Sequence, residues 1–195
     1  MVTTYAIVDI ETTGTDPKVN RMIQFGCVLV ENQKIVGRFS TDINPSQMIS
    51  RQIQSLTQIS NRQVQKAPYF EDIAQTIYNL LQDTVFVAHN IHFDYHFLNH
   101  ELVRCGMPRL TITGIDTVEL AQIFLPTESS YRLNDLAESL GITHENPHQA
   151  ASDAEVTANL FLRIEELAKA LPLVTIEKIA TLSAFTSHQT SDYIK

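Results

Sequence analysis

The hydrophobic pattern begins with an apolar, β-branched run, Tyr5-Ala6-Ile7-Val8-Asp9-Ile10-Glu11, the composition of a strand buried on both faces. Residues 22–31 and 34–43 read as two further strands joined by a tight turn at Asn32-Gln33. With the first run they predict a three-stranded antiparallel start, closed by Pro45. Residues 47–66 are Gln/Ser-rich and weakly periodic, so short helical turns and loops are expected there. Pro68 opens a helix whose Phe70, Ile73, Ile77, Leu80 and Leu81 fit one face. Residues 85–88 form a short buried strand that ends at His89-Asn90. A helix from about residue 92 to 104 stops before the breaker Gly106-Met107-Pro108. Residues 110–116 read as another strand, 117–124 as a helix, and 132–140 as a short helix with Gly141 just past its end. The last long helix spans 150–170 and stops before Pro172. Residues 175–187, with Ile176, Ile179, Leu182 and Phe185 at helical spacing and Thr175 as a cap, predict an extra amphipathic helix. This order of elements predicts an α/β fold with a mixed sheet under helices, not an all-parallel doubly wound sheet.

At 195 residues the expectation is one domain over residues 1–170 and a helical extension over 171–195. The first residues lack a basic segment and no apolar run approaches ~18 residues, so neither a signal peptide nor a membrane span is expected. Two isolated cysteines, Cys27 and Cys105, offer neither a disulfide framework nor a zinc motif, which points to a cytoplasmic protein with reduced thiols. The net charge of −8 changes the picture more. With no Lys/Arg cluster, nucleic acid is excluded as a ligand unless metals neutralise its phosphates locally or a fused or partner module supplies the grip.

Asp9 and Glu11 share one face of the first strand, because successive side chains alternate. Like charges beside a core require a cation, a basic partner or solvent. Thr12-Thr13-Gly14 reads as a turn and places both acids at the carboxyl end of the strand, where open α/β sheets bind ligands. Asp94 shares a helical face with Phe97, Leu98, Glu101 and Leu102, and Asp153 heads a stripe through Val156, Leu160, Ile164 and Leu167. Either acid alone fits a helix N-terminal capping role; all four fit it poorly. Asp116, just before Thr117, is read as a cap.

These residues match a known pattern. The sequence resembles the DnaQ-like 3′–5′ exonucleases, the DEDDh group, through three ordered motifs: Val8-Asp9-Ile10-Glu11-Thr12-Thr13-Gly14, His89 to Leu98 around Asp94, and His148-Gln149-Ala150-Ala151-Ser152-Asp153-Ala154. Leu56-Thr57-Gln58-Ile59 with Ala67-Pro68, and Asp116 to Ala121, are also similar, although Gln58 stands where glycine is common. The resemblance covers residues 4–168 and implies a ribonuclease H-like fold with a five-stranded mixed sheet, three antiparallel strands then two parallel ones. It implies that Asp9, Glu11, Asp94 and Asp153 hold two Mg²⁺ or Mn²⁺ ions, with Asp9 bridging, for in-line hydrolysis at phosphorus. It implies His148 as general base, and Thr12, Thr13, Gly14 and Asn90 as contacts to the 3′-terminal nucleotide, DNA favoured over RNA.

Were residues 148–153 all helical, His148 and Asp153 would stand roughly 140° apart around the axis. His148 is therefore expected on the loop before a helix starting near residues 150–152, against a competing start at Pro147 capped by Asn146. His92, His96 and His100 recur at a zinc-compatible spacing but lie opposite Asp94, as an exposed polar stripe. His89 reads as a structural hydrogen-bonding residue, and the helical Phe and Ile residues as core, Phe97 beside the site being the one candidate for base stacking. An aspartyl-nucleophile phosphatase fits poorly, since the second acid is Glu11, and a silent nucleic-acid-binding module does not need four acids and a histidine. Residues 172–187 resemble the connection that follows such a domain in DinG-type helicases, which implies a fused helicase or, in the manner of proofreading subunits, a polymerase partner. A Gly-x4-Gly-Lys-Ser/Thr loop is absent from these residues.

Overall fold

The computed structural model describes residues 2–186, and side chains as far as Ile179. Strands β1 (Thr4–Thr12), β2 (Met22–Glu31) and β3 (Lys34–Asp42) form the antiparallel start. Asn32 and Gln33 both adopt positive φ, 49° and 62°, the twist a two-residue hairpin turn demands. Helices α1 (Arg51–Thr57), α2 (Asn61–Val64) and α3 (Phe70–Leu81) lead to β4 (Val85–Ala88) and α4 (Ile91–Arg104). Strand β5 (Gly114–Asp116), helices α5 (Thr117–Phe124), α6 (Leu133–Ser139), α7 (Ala150–Lys169) and α8 (Leu173–Thr186) complete the chain. The sheet order is β3-β2-β1-β4-β5, with β4 and β5 parallel to β1, the predicted ribonuclease H-like arrangement.

β1 is covered on both faces, as its composition requires. Ala6, Val8 and Ile10 pack with Phe70, Ile77, Leu98 and Leu102 of α3 and α4. Ile7 packs on the other face with Ala154, Ala158 and Phe161 of α7. Asp9 and Glu11 continue the α7 face past the end of this core, and both are partly buried.

Four expectations need correction. Residues 110–113 are not strand: Leu110 donates its N–H to Asn99 Oδ1 and accepts from Tyr95 Oη, so α4 side chains have taken the groups a neighbouring strand would bond. Thr12 belongs to β1 rather than to the turn, opposite Met22 after an irregularity at Glu11/Thr12. Pro68 precedes the cap of α3 instead of opening it; Tyr69 is the cap, and Asp72 accepts from its N–H. Thr175 lies inside α8, which begins at Leu173 after Pro172, so it caps nothing. The stripe expected through Leu182 and Phe185 lies outside the described side chains.

Candidate active site

β1 outruns β4. Their parallel pairing stops at Ile7↔Val87, which leaves the Ile10 N–H without a strand partner. Asp94, in the first turn of α4, fills the gap: its Oδ1 accepts that N–H at 3.1 Å. The helix is aimed there by Asp116. Its carboxylate caps α5 through Val118 N at 2.8 Å and also accepts from Asn90 N at 3.1 Å and Ile91 N at 3.2 Å. One acid thus ties the starts of two helices together, beyond the single cap its position suggests. Asn90, which is exposed, sits at φ 71° as the residue before α4.

Asp153 arrives from the opposite face of the sheet. Helix α7 starts at Ala150 with Gln149 as its extended cap, and Ala150 N donates to Gln24 Oε1 of β2 at 2.7 Å. The backbone at this point runs against Gly26, the residue paired with Asp9 in the β1–β2 register. His148 precedes the helix at φ 62°, on the loop as expected, and its backbone N–H donates to Asp153 Oδ2 at 3.2 Å. Because the chain turns left-handed there, the ring and Asp153 face one place. Ligand atoms of Glu11, His148 and Asp153 all lie within 4.8 Å of one another.

The electrostatics join all four acids. The Asp9 carboxyl is held well above the usual range by burial first, then by Asp94, Asp153 and Glu11. Glu11 is pushed up to about 8 by burial, Asp153 and Asp94. Asp94 is raised by burial, opposed by the Ile10 N–H bond, and raised further by Asp116 and Asp153. No Lys or Arg pairs with any of the four among the described residues; the ion pairs of arginine go to Glu101, Glu155 and Glu166. Carboxylates that repel one another with no basic partner are the donor set of a hard divalent cation, so the site fits a metal.

The loop after β1 is anchored rather than free. Thr12 Oγ1 donates to Gly14 O at 2.7 Å, and Thr13 Oγ1 accepts from Gln47 Nε2 at 2.6 Å and from Arg21 N at 3.0 Å. The hydroxyls of Thr12 and Thr13 are thus both engaged within the loop. Arg21 in turn meets Glu101 at 3.0 Å, and the other oxygen of that buried acid lies 2.8 Å from Arg104 Nη1, too oblique for a hydrogen bond.

The family model described as Exonuclease matches residues 6–161. The chain belongs to the exonuclease family. The 3′-5′ exonuclease DinG of Bacillus subtilis (strain 168) is 42% identical over 180 residues, 92% of this chain. This chain spans about a fifth (19%) of that relative's length. Two solved structures share the fold. E. coli exonuclease I in complex with a dT13 oligonucleotide has a TM-score of 0.75 at 20% identity, covering 84% of this chain and 41% of that one. The nuclease domain of 3′hExo, a DEDDh family member bound to rAMP, has a TM-score of 0.74 at 21% identity, covering 85% and 92%.

The signals discounted in the sequence lie outside the acid cluster. His92 and His96 are exposed, and His96 packs against His100 with ring centroids 4.7 Å apart. His89 bonds Thr117 Oγ1 and Tyr131 O, both at 2.9 Å, and burial lowers its pKa. Phe97 is buried in the core, only 1% exposed, and offers no stacking face, which removes that exception. Gln58 holds φ 60°, the left-handed backbone for which glycine is the easier residue. One residue beside the acids had no sequence signal: His144, whose Nε2 lies 2.7 Å from Asp153 Oδ1. It sits in a polar loop with no period to break.

Proposed function

We propose that this chain is the nuclease part of a longer, cytoplasmic protein and removes nucleotides from the 3′ end of DNA, releasing nucleoside 5′-monophosphates. The observation that carries this is the convergence of Asp9 and Glu11 from one face of β1, Asp94 from α4 and Asp153 from α7, with no Lys or Arg paired to any of the four among the described residues. Asp9, Glu11, Asp94 and Asp153 would hold two divalent cations, Mg²⁺ or Mn²⁺. When bound, these ions supply Lewis acidity to the phosphodiester and offset the charge of both the acids and the phosphate. That local offset is how a chain of net charge −8 accepts a polyanion.

The chain's own groups do the rest. His148 is exposed beside Glu11 and Asp153, where its imidazole would take a proton from an attacking water. The backbone of Thr12-Thr13-Gly14 and the Asn90 side chain would hold the terminal nucleotide. The 42% identity to a DinG exonuclease over 180 residues, one-fifth of its length, supports a nuclease part of a longer protein; residues 1–170 are read as the nuclease domain and 171–195 as a link toward a fused helicase. The proximity of His148 to two of the acids favours one second reading, that its ring is a ligand rather than a base.

The test is digestion of 5′- and 3′-labelled single- and double-stranded DNA and RNA with Mg²⁺, Mn²⁺ or EDTA. Stepwise shortening from the 3′ end, with loss in EDTA and in Asp9→Asn, is expected. Activity in EDTA, or shortening from the 5′ end, contradicts the proposal.

A further inference from the structure

Asp153 has both oxygens tied to one short loop. Oδ1 faces His144 Nε2 at 2.7 Å and Oδ2 accepts the His148 N–H at 3.2 Å. The His144 side chain is only 8% exposed, and its Nδ1 is buried without a hydrogen-bond partner. A carboxylate oxygen accepts and does not donate, so Nε2 carries the proton, and the ring has this one hydrogen bond to make. Meanwhile His148 stands at φ 62°, a backbone that a residue with a side chain holds only when its surroundings fix it. The surroundings here are Asp153, and what fixes the Asp153 carboxylate is His144. Each Asp153 oxygen keeps a second lone pair, so the carboxylate is oriented by these bonds and not used up.

We propose that His144 is a positioning residue: its Nε2–H holds the plane of the Asp153 carboxylate toward the cation site, and through Asp153 it holds the left-handed loop that carries His148. This rests on reading the four acids as a metal centre. Hydrogen-bond partners of metal-ligating groups set ligand orientation, and losing one commonly lowers metal affinity or activity by roughly 10–100-fold.

The experiment is Mn²⁺ binding to the full 195-residue chain, followed by the electron paramagnetic resonance of free Mn²⁺, for wild type, His144→Met, His144→Gln and Asp9→Asn. His144→Met, which fills the space without a donor, is expected to weaken binding by about 10-fold. His144→Gln keeps an N–H donor and is expected to stay within about threefold of wild type. Wild-type affinity in His144→Met overturns the proposal, as does an equal loss in Met and Gln, which would mean packing rather than the hydrogen bond. If Asp9→Asn also binds like wild type, the metal-centre reading itself falls; if only Asp9→Asn weakens, the His144 role alone falls. A second readout needs no variant that must fold like wild type. Histidine-selective ¹⁵N–¹H correlation of the metal-free chain should show two imidazoles locked as the Nε2–H tautomer with slow proton exchange, His89 on the Tyr131 carbonyl and His144 on Asp153, the second absent in His144→Gln. An Nδ1–H tautomer or free exchange at His144 overturns the proposal.

Discussion

A Cβ placed on Gly26 would lie 2.2 Å from the carbonyl oxygen of Ala150. Gly26 pairs with Asp9 across β1 and β2, and Ala150 begins the helix that carries Asp153. This close approach lets the last long helix set its acid over the first strand. The obstacle is backbone on both sides and cannot swing away. Gly26→Ala is therefore expected to cost about 2 kcal/mol of stability, within the ordinary range for overpacking, measurable by urea unfolding. By displacing Asp153 it should also lower turnover by on the order of 10²-fold, the loss a misplacement of about 1 Å produces.

Asp9→Asn should separate stability from activity. It removes one charge from a cluster of mutually repelling acids, so the metal-free protein should gain about 1 kcal/mol, roughly 2–4 °C in Tm for a chain of this size. The same substitution should abolish nucleolytic activity. Calorimetry in EDTA beside a digestion assay checks both; a lower metal-free Tm would mean the acids are not in net repulsion.

The pH dependence of the metal-free protein follows from Glu11, raised from an ordinary 4.5 to about 8. An acid with a raised folded-state pKa binds more protons folded than unfolded in that window, so stability falls as pH rises through it. Asp9 and Asp94 are raised as well and act in the same direction. In EDTA, Tm should decline between about pH 5 and 8. Added Mg²⁺ or Mn²⁺ should restore more stability at pH 8 than at pH 5, because the ligands must be ionised to bind.

Glu101 is 1% exposed and serves Arg21 and Arg104, both about a quarter exposed, as well as the Met22 N–H. Breaking a buried pair costs about 3–5 kcal/mol when the remaining charge is trapped, but these arginines can turn to water. Glu101→Ala should therefore cost nearer ~2 kcal/mol. Since the Arg21 backbone N–H donates to Thr13 Oγ1 and Arg104 Nη2 to Pro17 O, the β1–β2 loop should loosen once Glu101 no longer holds either arginine. Faster amide exchange over residues 13–21 is the measurement; unchanged exchange would show that the loop holds itself.

The four acids were legible because each breaks a pattern. Asp9 and Glu11 interrupt an apolar strand, and Asp94 and Asp153 sit on apolar helical faces. His148 entered through the family resemblance, and helical geometry then put it on the loop before α7, since a helical position would have turned it away from Asp153. What stayed hidden depends on contacts between distant segments. Gly26 in a strand signals a close approach without naming Ala150. Leu110 to Thr113 read as strand by composition, yet Asn99 and Tyr95 satisfy Leu110 first. His144 lies in a polar loop where neither period nor burial shows before the chain folds.

The most direct test of a two-ion centre built by these acids is Mn²⁺ titration by calorimetry in the presence of a nucleoside 5′-monophosphate, for wild type, Asp9→Asn and His148→Gln. Two ions per chain are expected for wild type and none of comparable affinity for Asp9→Asn. His148→Gln should still bind two while losing turnover by about 10²-fold or more, as removal of a general base does. No binding in wild type, or binding indifferent to Asp9→Asn, would contradict the account.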